Sequence, residues 1–160
     1  MKKEILKILE KDSRLTDAQI AAMLGLTEEE VAQTIRECEK DGTILGRLTL
    51  VDWDKTGEEF VTALIEVKVT PQRGDGFDRI AERIYQYEEV ESLYLMSGAY
   101  DLTVIISGRT LKEVSTFVSS RLSTIDGVVG TATHFILKKY KDKNIAFETQ
   151  PEQQERMMFC

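Results

Sequence analysis

Apolar residues in the first forty positions recur at three and four, the spacing of amphipathic helices, and the rest of the chain alternates between strand and helix periods. Ile5, Leu6, Ile8 and Leu9 share one face of a helix over residues 3–10, and Asp12-Ser13-Arg14 breaks the pattern. Thr16 reads as an N-cap ahead of Ile20, Ala21 and Leu24, with Gly25 as the stop. Thr27 is a second N-cap, and Glu30 at the third helical position completes a Thr-x-x-Glu capping box. Val31, Ile35 and Cys38 then line the buried side of a third helix, which Asp41-Gly42 ends.

Beyond Gly42 the period changes. Ile44 to Val51 is β-prone and broken by Gly46, which predicts a short hairpin or a strand leading out of the helical module. Asp52 to Glu59 is polar, holds Gly57, and is the best candidate linker. From Phe60 to Thr70, Ala63, Ile65, Val67 and Val69 alternate with Thr62, Leu64, Glu66 and Lys68, and Pro71 ends that strand. Phe77, Ile80, Ala81 and Ile84 predict a helix to about Tyr87. Val90–Ser97 and Tyr100–Ser107 read as two strands joined tightly at Gly98-Ala99. Thr110–Leu122 is helical, with Leu111, Val114, Phe117, Val118 and Leu122 turned inward, and Val128–Lys138 is the last strand.

The order β-α-β-β-α-β is the split βαβ plan, and the whole is an α+β chain. The expected domains are 1–50, a linker at 51–57, an αβ-plait at 58–141 and an aperiodic tail at 142–160. Two helices cover one face of a four-stranded sheet. The other face has no third layer in the chain, and a partner subunit is the economical cover for it.

Composition narrows the function classes. The chain has 160 residues, 42% hydrophobic and 31% charged. Runs such as Val104-Ile105-Ile106 fall far below the ~20 residues that span a bilayer. The start, Met-Lys-Lys-Glu-Ile-Leu, lacks the features of a secretory signal, so a cytoplasmic protein is expected. Cys38 and Cys160 are too few for a disulfide framework and are not at metal spacing. Net charge is −7, with 8 Lys/Arg against 10 Asp/Glu in residues 1–50 and 13 against 18 in 51–160. Neither half is basic, and charge alone does not suggest a nucleic acid.

A family resemblance supplies what charge does not. Ile5-Leu6-Lys7-Ile8-Leu9 with Ser13-Arg14-Leu15, Ile20-Ala21 through Gly25-Leu26-Thr27, and Val31 and Ile35 followed by Glu39 to Ile44 come first. Ser97-Gly98-Ala99-Tyr100-Asp101 carries a Gly-x-Tyr-Asp turn, and Gly127-Val128 precedes Thr131 and Thr133. In this order, from about Glu4 to Lys141, the series resembles the Lrp/AsnC (feast/famine) family of regulators. The resemblance implies a winged helix-turn-helix that binds double-stranded DNA, followed by a ferredoxin-like αβ-plait. It also implies dimers able to assemble into octamers, and a small effector, usually an amino acid, bound between plait domains of different subunits.

On the Thr27–Asp41 helix, the groove-facing candidates are Thr27, Glu28, Glu29, Gln33, Thr34 and Arg36. Gln can read adenine and Arg guanine through bidentate bonds. Arg14 and Arg47 are candidates for the phosphates. Glu28, Glu29 and Glu30 complement the helix dipole but face an anionic backbone badly. That leaves open a second class: an oligomeric small-molecule-binding protein with a vestigial helix-turn-helix.

For the effector, the family resemblance implies Gly98, Tyr100, Asp101, Thr131 and Thr133. From the residues alone, Gly98-Ala99 reads sooner as a tight turn and Asp101 as a turn anchor. His134, the one histidine, falls opposite Thr131 and Thr133 in the strand alternation; it is either a half-exposed strand residue or a binding and pH-sensing group. Sirohaem decarboxylases share this architecture, but their His-Asn-x-Tyr-x-Arg motif has no counterpart here. With no phosphate loop and no metal-spaced cluster, neither an enzyme activity nor a cofactor is predicted.

Overall fold

The structure, a computed structural model, describes residues 1–70, 74 and 76–147, and the chain divides between Val51 and Asp52. In the first unit α1 spans Lys2–Lys11, α2 Asp17–Leu24 and α3 Glu28–Lys40. Both later helices start on full capping boxes. Thr16 accepts from the Gln19 N–H while Gln19 accepts from the Thr16 N–H, and Thr27 and Glu30 repeat the arrangement. Gly25 closes α2 in the left-handed region at φ +68°, which sets the sharp turn into α3. Ile5, Ile20, Ala21, Val31 and Ile35 form the core of this unit, with Leu9, Leu15, Leu26 and Ile44 packed around them.

The expected strand or hairpin at 44–51 does not form. Among the described residues of this unit there is no strand to pair with it, and Leu45 and Leu48 are left 95% and 92% exposed. A β-prone sequence without a ladder partner remains extended and irregular.

The second unit begins on a 3-10 turn, Trp53–Thr56, inside the predicted linker. The Trp53 ring lies 5.3 Å from Phe60, so this stretch carries local structure rather than a bare polar tether. Then come β1 (Val61–Val69), α4 (Asp78–Tyr85), β2 (Val90–Leu95), β3 (Leu102–Gly108), α5 (Leu111–Phe117) and β4 (Val128–Ile136). The antiparallel sheet has the order β2-β3-β1-β4, the split βαβ arrangement. α5 runs on into a π turn over Val118–Leu122, within the single helix expected there.

Register assigns the two faces. Ala63, Ile65 and Val67 lie opposite Ile106, Val104 and Leu102 on β3, and with Val69, Ile84, Val114, Phe117 and Leu122 they form the core under the helices. Residues opposite one another in an antiparallel pair share a face. The uncovered face therefore carries Leu64, Glu66, Ile105, Tyr94, His134 and Ile136.

Two boundaries differ from expectation. β2 and β3 stop pairing at Leu95 and Leu102, so residues 96–101 make a six-residue loop in place of a two-residue hairpin at Gly98-Ala99. The loop closes through the Met96 N–H to the Asp101 carbonyl at 2.8 Å, and the Asp101 N–H bonds Val67 O at 3.1 Å. The aperiodic tail starts as a hairpin, with β5 (Lys141–Asp142) and β6 (Ile145–Ala146) joined by Lys143 and Asn144 at φ +45° and +65°. Two positive φ values in a two-residue loop suit the strand twist. The predicted strand stop at Pro71 and the tail from 148 to 160 lie outside the described residues.

Candidate functional site

The outward face of α3 is fixed by what its other face buries. Val31, Thr34, Ile35 and Cys38 point inward. At ~100° per residue, Glu29, Gln33, Arg36 and Lys40 form the row directly opposite. Arg36 Nη2 donates to Glu29 Oε1 at 2.8 Å and to Gln33 Oε1 at 3.0 Å, and Gln33 Nε2 donates to Glu37 Oε1 at 2.8 Å. Lys40 carries no ion pair among the described residues.

The three glutamates at the start of α3 have separate tasks. Glu30 closes the capping box, and the Thr27 N–H holds its carboxyl below the usual range. Glu29 holds Arg36, and Glu28 is exposed. Two expected groove residues are engaged in the fold itself. Thr34 is 7% exposed and donates to the Glu30 carbonyl at 2.7 Å, so its hydroxyl does not face a groove. A residue three positions from Val31 and one from Ile35 falls on the buried side, which the wheel of the sequence contains. Thr27 is exposed, but its side chain is taken by the N-cap.

The phosphate candidates sit at the edges of the same unit. Arg14 donates to Asp12 through Nε and Nη2, both at 2.9 Å, and these bonds press the Asp12 carboxyl down to about 2. Arg47 reaches Glu39 at 3.4 Å.

In the second unit, Asp101 is an anchor. Its Oδ2 accepts the Val69 N–H at 2.8 Å at the end of β1, with Lys68 Nζ 3.3 Å away. That backbone bond first, and Lys68 after it, holds the carboxyl below the ordinary aspartate range. Gly98 has no positive φ, and a Cβ built there meets nothing within 4 Å, so the chain's own backbone does not demand glycine. Tyr100 is half-buried in the same loop.

Thr131 and Thr133 pair with Val67 and Ile65, on the helix side of the edge strand β4. Leu102 pairs with Val67 from the other side of β1. The turn and the threonines thus share one end of the sheet, two strand spacings or roughly 10 Å apart. One chain does not bring them into a single cluster. His134 lies on the opposite face, as the alternation predicts, with Nε2 2.9 Å from Glu66 Oε2.

With this geometry stands a match to two family models: a winged helix-turn-helix DNA-binding domain over residues 1–44, and the Lrp/AsnC ligand-binding domain over residues 62–145. The chain belongs to the Lrp/AsnC family. It is a DNA-binding transcriptional regulator with a helix-turn-helix unit and an α+β ligand-binding unit.

An uncharacterized HTH-type transcriptional regulator of Bacillus subtilis, YugG, is 54% identical over 147 residues, covering 91% of this chain and 89% of its own. The HTH-type transcriptional regulator LrpA of Pyrococcus horikoshii is 32% identical over 139 residues, covering 87% and 96%. A Neisseria meningitidis transcriptional regulator solved as its L-Met complex superposes with a TM-score of 0.71 over 88% of this chain and 90% of its own. At 20% identity that likeness speaks for the fold. No helix among the described residues is long and apolar enough to cross a membrane.

The sequence did not point to one further feature of this Lrp/AsnC chain. A groove of about 550 Å³ runs beside α5, lined by Ser107, Thr110, Glu113, Thr116, Phe117 and Arg121 among others. It lies toward the Gly108 end of β3, away from the Gly98–Asp101 loop, and none of the five expected effector residues lines it. Its lining joins Glu89 to the stretch from Ile106 to Arg121, a grouping that spacing along one element cannot reveal.

Proposed function

We propose that this regulator works in the cytoplasm as a homodimer, able to assemble into octamers, and that its operator binding responds to an amino acid held between plait domains of two subunits. Gly98 carries the effector half of this reading. Its lack of a side chain answers no strain and no crowding inside the chain, so what it leaves room for comes from outside. Tyr100 and Asp101 follow it in the loop, and Thr131 and Thr133 flank the same sheet end, close enough for a bridging ligand to span the gap. The L-Met complex of the Neisseria meningitidis regulator supports the ligand class. The uncovered sheet face, with Leu64, Ile105 and Ile136, supports face-to-face pairing of two plaits. An effector that prefers one assembly then shifts the geometry of paired DNA heads.

A thermal-shift screen of the full chain against the twenty amino acids tests the effector. A true ligand at about 100 times its dissociation constant adds ~2.7 kcal/mol. Gly98→Val is expected to keep the unliganded midpoint and abolish the shift. A shift that survives Gly98→Val places the ligand elsewhere, with the α5 groove the next site to probe.

The acidic start of α3 favours a second reading, an oligomeric small-molecule binder that recognises no particular DNA. Binding to duplex DNA over a salt series separates the two.

A further inference from the structure

We propose that Glu29 is a positioning residue for sequence readout: it holds Arg36 to read guanine, within a chain of side chains running Glu29, Arg36, Gln33, Glu37. The proposal rests on α3 being the DNA-reading helix and adds which base it selects and through which groups.

Three observations carry it. Glu29, Gln33 and Arg36 lie on the row opposite the buried face of α3, so a groove entered by that face meets them first. Their hydrogen bonds form one uninterrupted series of 2.8, 3.0 and 2.8 Å between charged and amide groups. The neighbouring glutamates are excluded: Glu30 is committed to the cap, and Glu28 has no bond to a basic side chain among the described residues.

The donor count gives the specificity. A guanidinium has five N–H groups and no acceptor. Nη2 is committed to Glu29 and Gln33, which leaves Nε–H and the two hydrogens of Nη1. Guanine presents two adjacent acceptors in the major groove, O6 and N7, and the two splayed Nη1 hydrogens meet both through bent bonds in place of the usual two-nitrogen fork; adenine presents N7 beside an N6 donor and cannot accept twice. The Gln33 amide is oriented too, with its oxygen toward Arg36 and one amide hydrogen still free for a neighbouring base acceptor.

Glu29 is 82% exposed and Arg36 56%, so neither holds the fold together, and substitutions at both leave the capping box and core intact. Fixing a long, mobile side chain before binding reduces the ordering that docking requires. It also leaves a carboxylate near the phosphates, which opposes binding to every sequence alike. Discrimination gains while general affinity falls.

Selection from a randomised duplex library, followed by titration of the selected duplex and its single-base variants, tests this with the full-length protein. Wild type is expected to enrich a guanine that it prefers by roughly 5- to 150-fold over the other bases. Arg36→Met, which keeps the aliphatic stem but has no donor, loses that preference. Glu29→Gln relaxes it by roughly 2- to 5-fold, the range an exposed ion pair supplies, while binding random duplex more tightly than wild type. A Glu29→Gln protein with an unchanged or sharpened guanine preference would overturn the proposal, since the carboxylate would then merely compete with DNA for Arg36. Retention of the same guanine by Arg36→Met would remove Arg36 as the reader. Failure of wild type to enrich any sequence would remove the DNA-reading role of α3, and the proposal with it.

Discussion

Thr27 is where the capping chemistry of α3 can be measured apart from its DNA face. Its hydroxyl accepts the Glu30 N–H and its own N–H is taken by the Glu30 carboxylate. Thr27→Ala is expected to cost ~1 kcal/mol in urea unfolding, and Thr27→Gly only a few tenths. Equal losses for the two would mean that the hydroxyl cap contributes nothing. Asp12 and Asp41 give a pH signature. Arg14 holds the Asp12 carboxyl at about 2, and hydrogen bonds from Thr43, ahead of the one from Lys2, do the same for Asp41. A carboxyl depressed in the folded state stabilises it above the ordinary value of 3.8, and that contribution is lost as pH falls toward 2. The thermal midpoint of the helical unit should therefore drop across that interval, and Asp41→Asn should flatten the drop. A profile identical to wild type would discount the Asp41 bonds. Thr34→Val is expected to leave DNA affinity unchanged, because the hydroxyl bonds the Glu30 carbonyl inside the helix; a loss of affinity would restore Thr34 to the reading face.

At the scale of elements, helices and central strands were legible because one periodicity governs each. The alternation of Ala63, Ile65, Val67 and Val69 against Leu64 and Glu66 identified both faces of β1, and the Thr-x-x-Glu pattern located α3 to the residue. What failed depended on partners distant in sequence. Ile44 to Val51 has strand propensity but no strand beside it in the chain. The Gly98-Ala99 pair looked like a hairpin turn, yet the Asp101 N–H leaves for Val67 on a third strand and opens the loop to six residues. The candidate effector set was only half legible: resemblance supplied the residues, but the sequence could not tell that β1 separates Asp101 from Thr131. Gly127 shows how a connection can constrain an element. It sits at φ +95°, and a Cβ there would come within 2.8 Å of Ile80 Cδ1 and 3.3 Å of the Thr70 carbonyl. Gly127→Ala is expected to destabilise the plait by roughly 2 kcal/mol or more in denaturant unfolding, from positive-φ strain and overpacking together. A loss under half of that would mean the turn and Ile80 relax freely.

At the scale of the whole molecule, the proposed work outside the chain falls on two surfaces: the outward row of α3 and the uncovered face of the sheet. A charge placed on the second should break assembly without unfolding the plait. Leu64→Asp is expected to sediment as a smaller species than wild type at equal concentration while keeping its helical content; an unchanged assembly would move the interface off that face. The proposed assembly bears on DNA binding because linked heads add their grips on one duplex. With a net charge of −7, the protein must bring Lys40, Arg14 and Arg47 to the phosphates against a general repulsion. The direct measurement is anisotropy of a labelled duplex from the protein's own promoter region, titrated with full-length protein from about 50 to 200 mM salt, beside a random duplex of equal length. Log affinity is expected to fall linearly with log salt, with a slope near −0.9 for each phosphate neutralised. Promoter binding is expected to be roughly a thousandfold or more tighter than random. Flat binding at low salt, or equal binding to both duplexes, would contradict a sequence-reading role for α3.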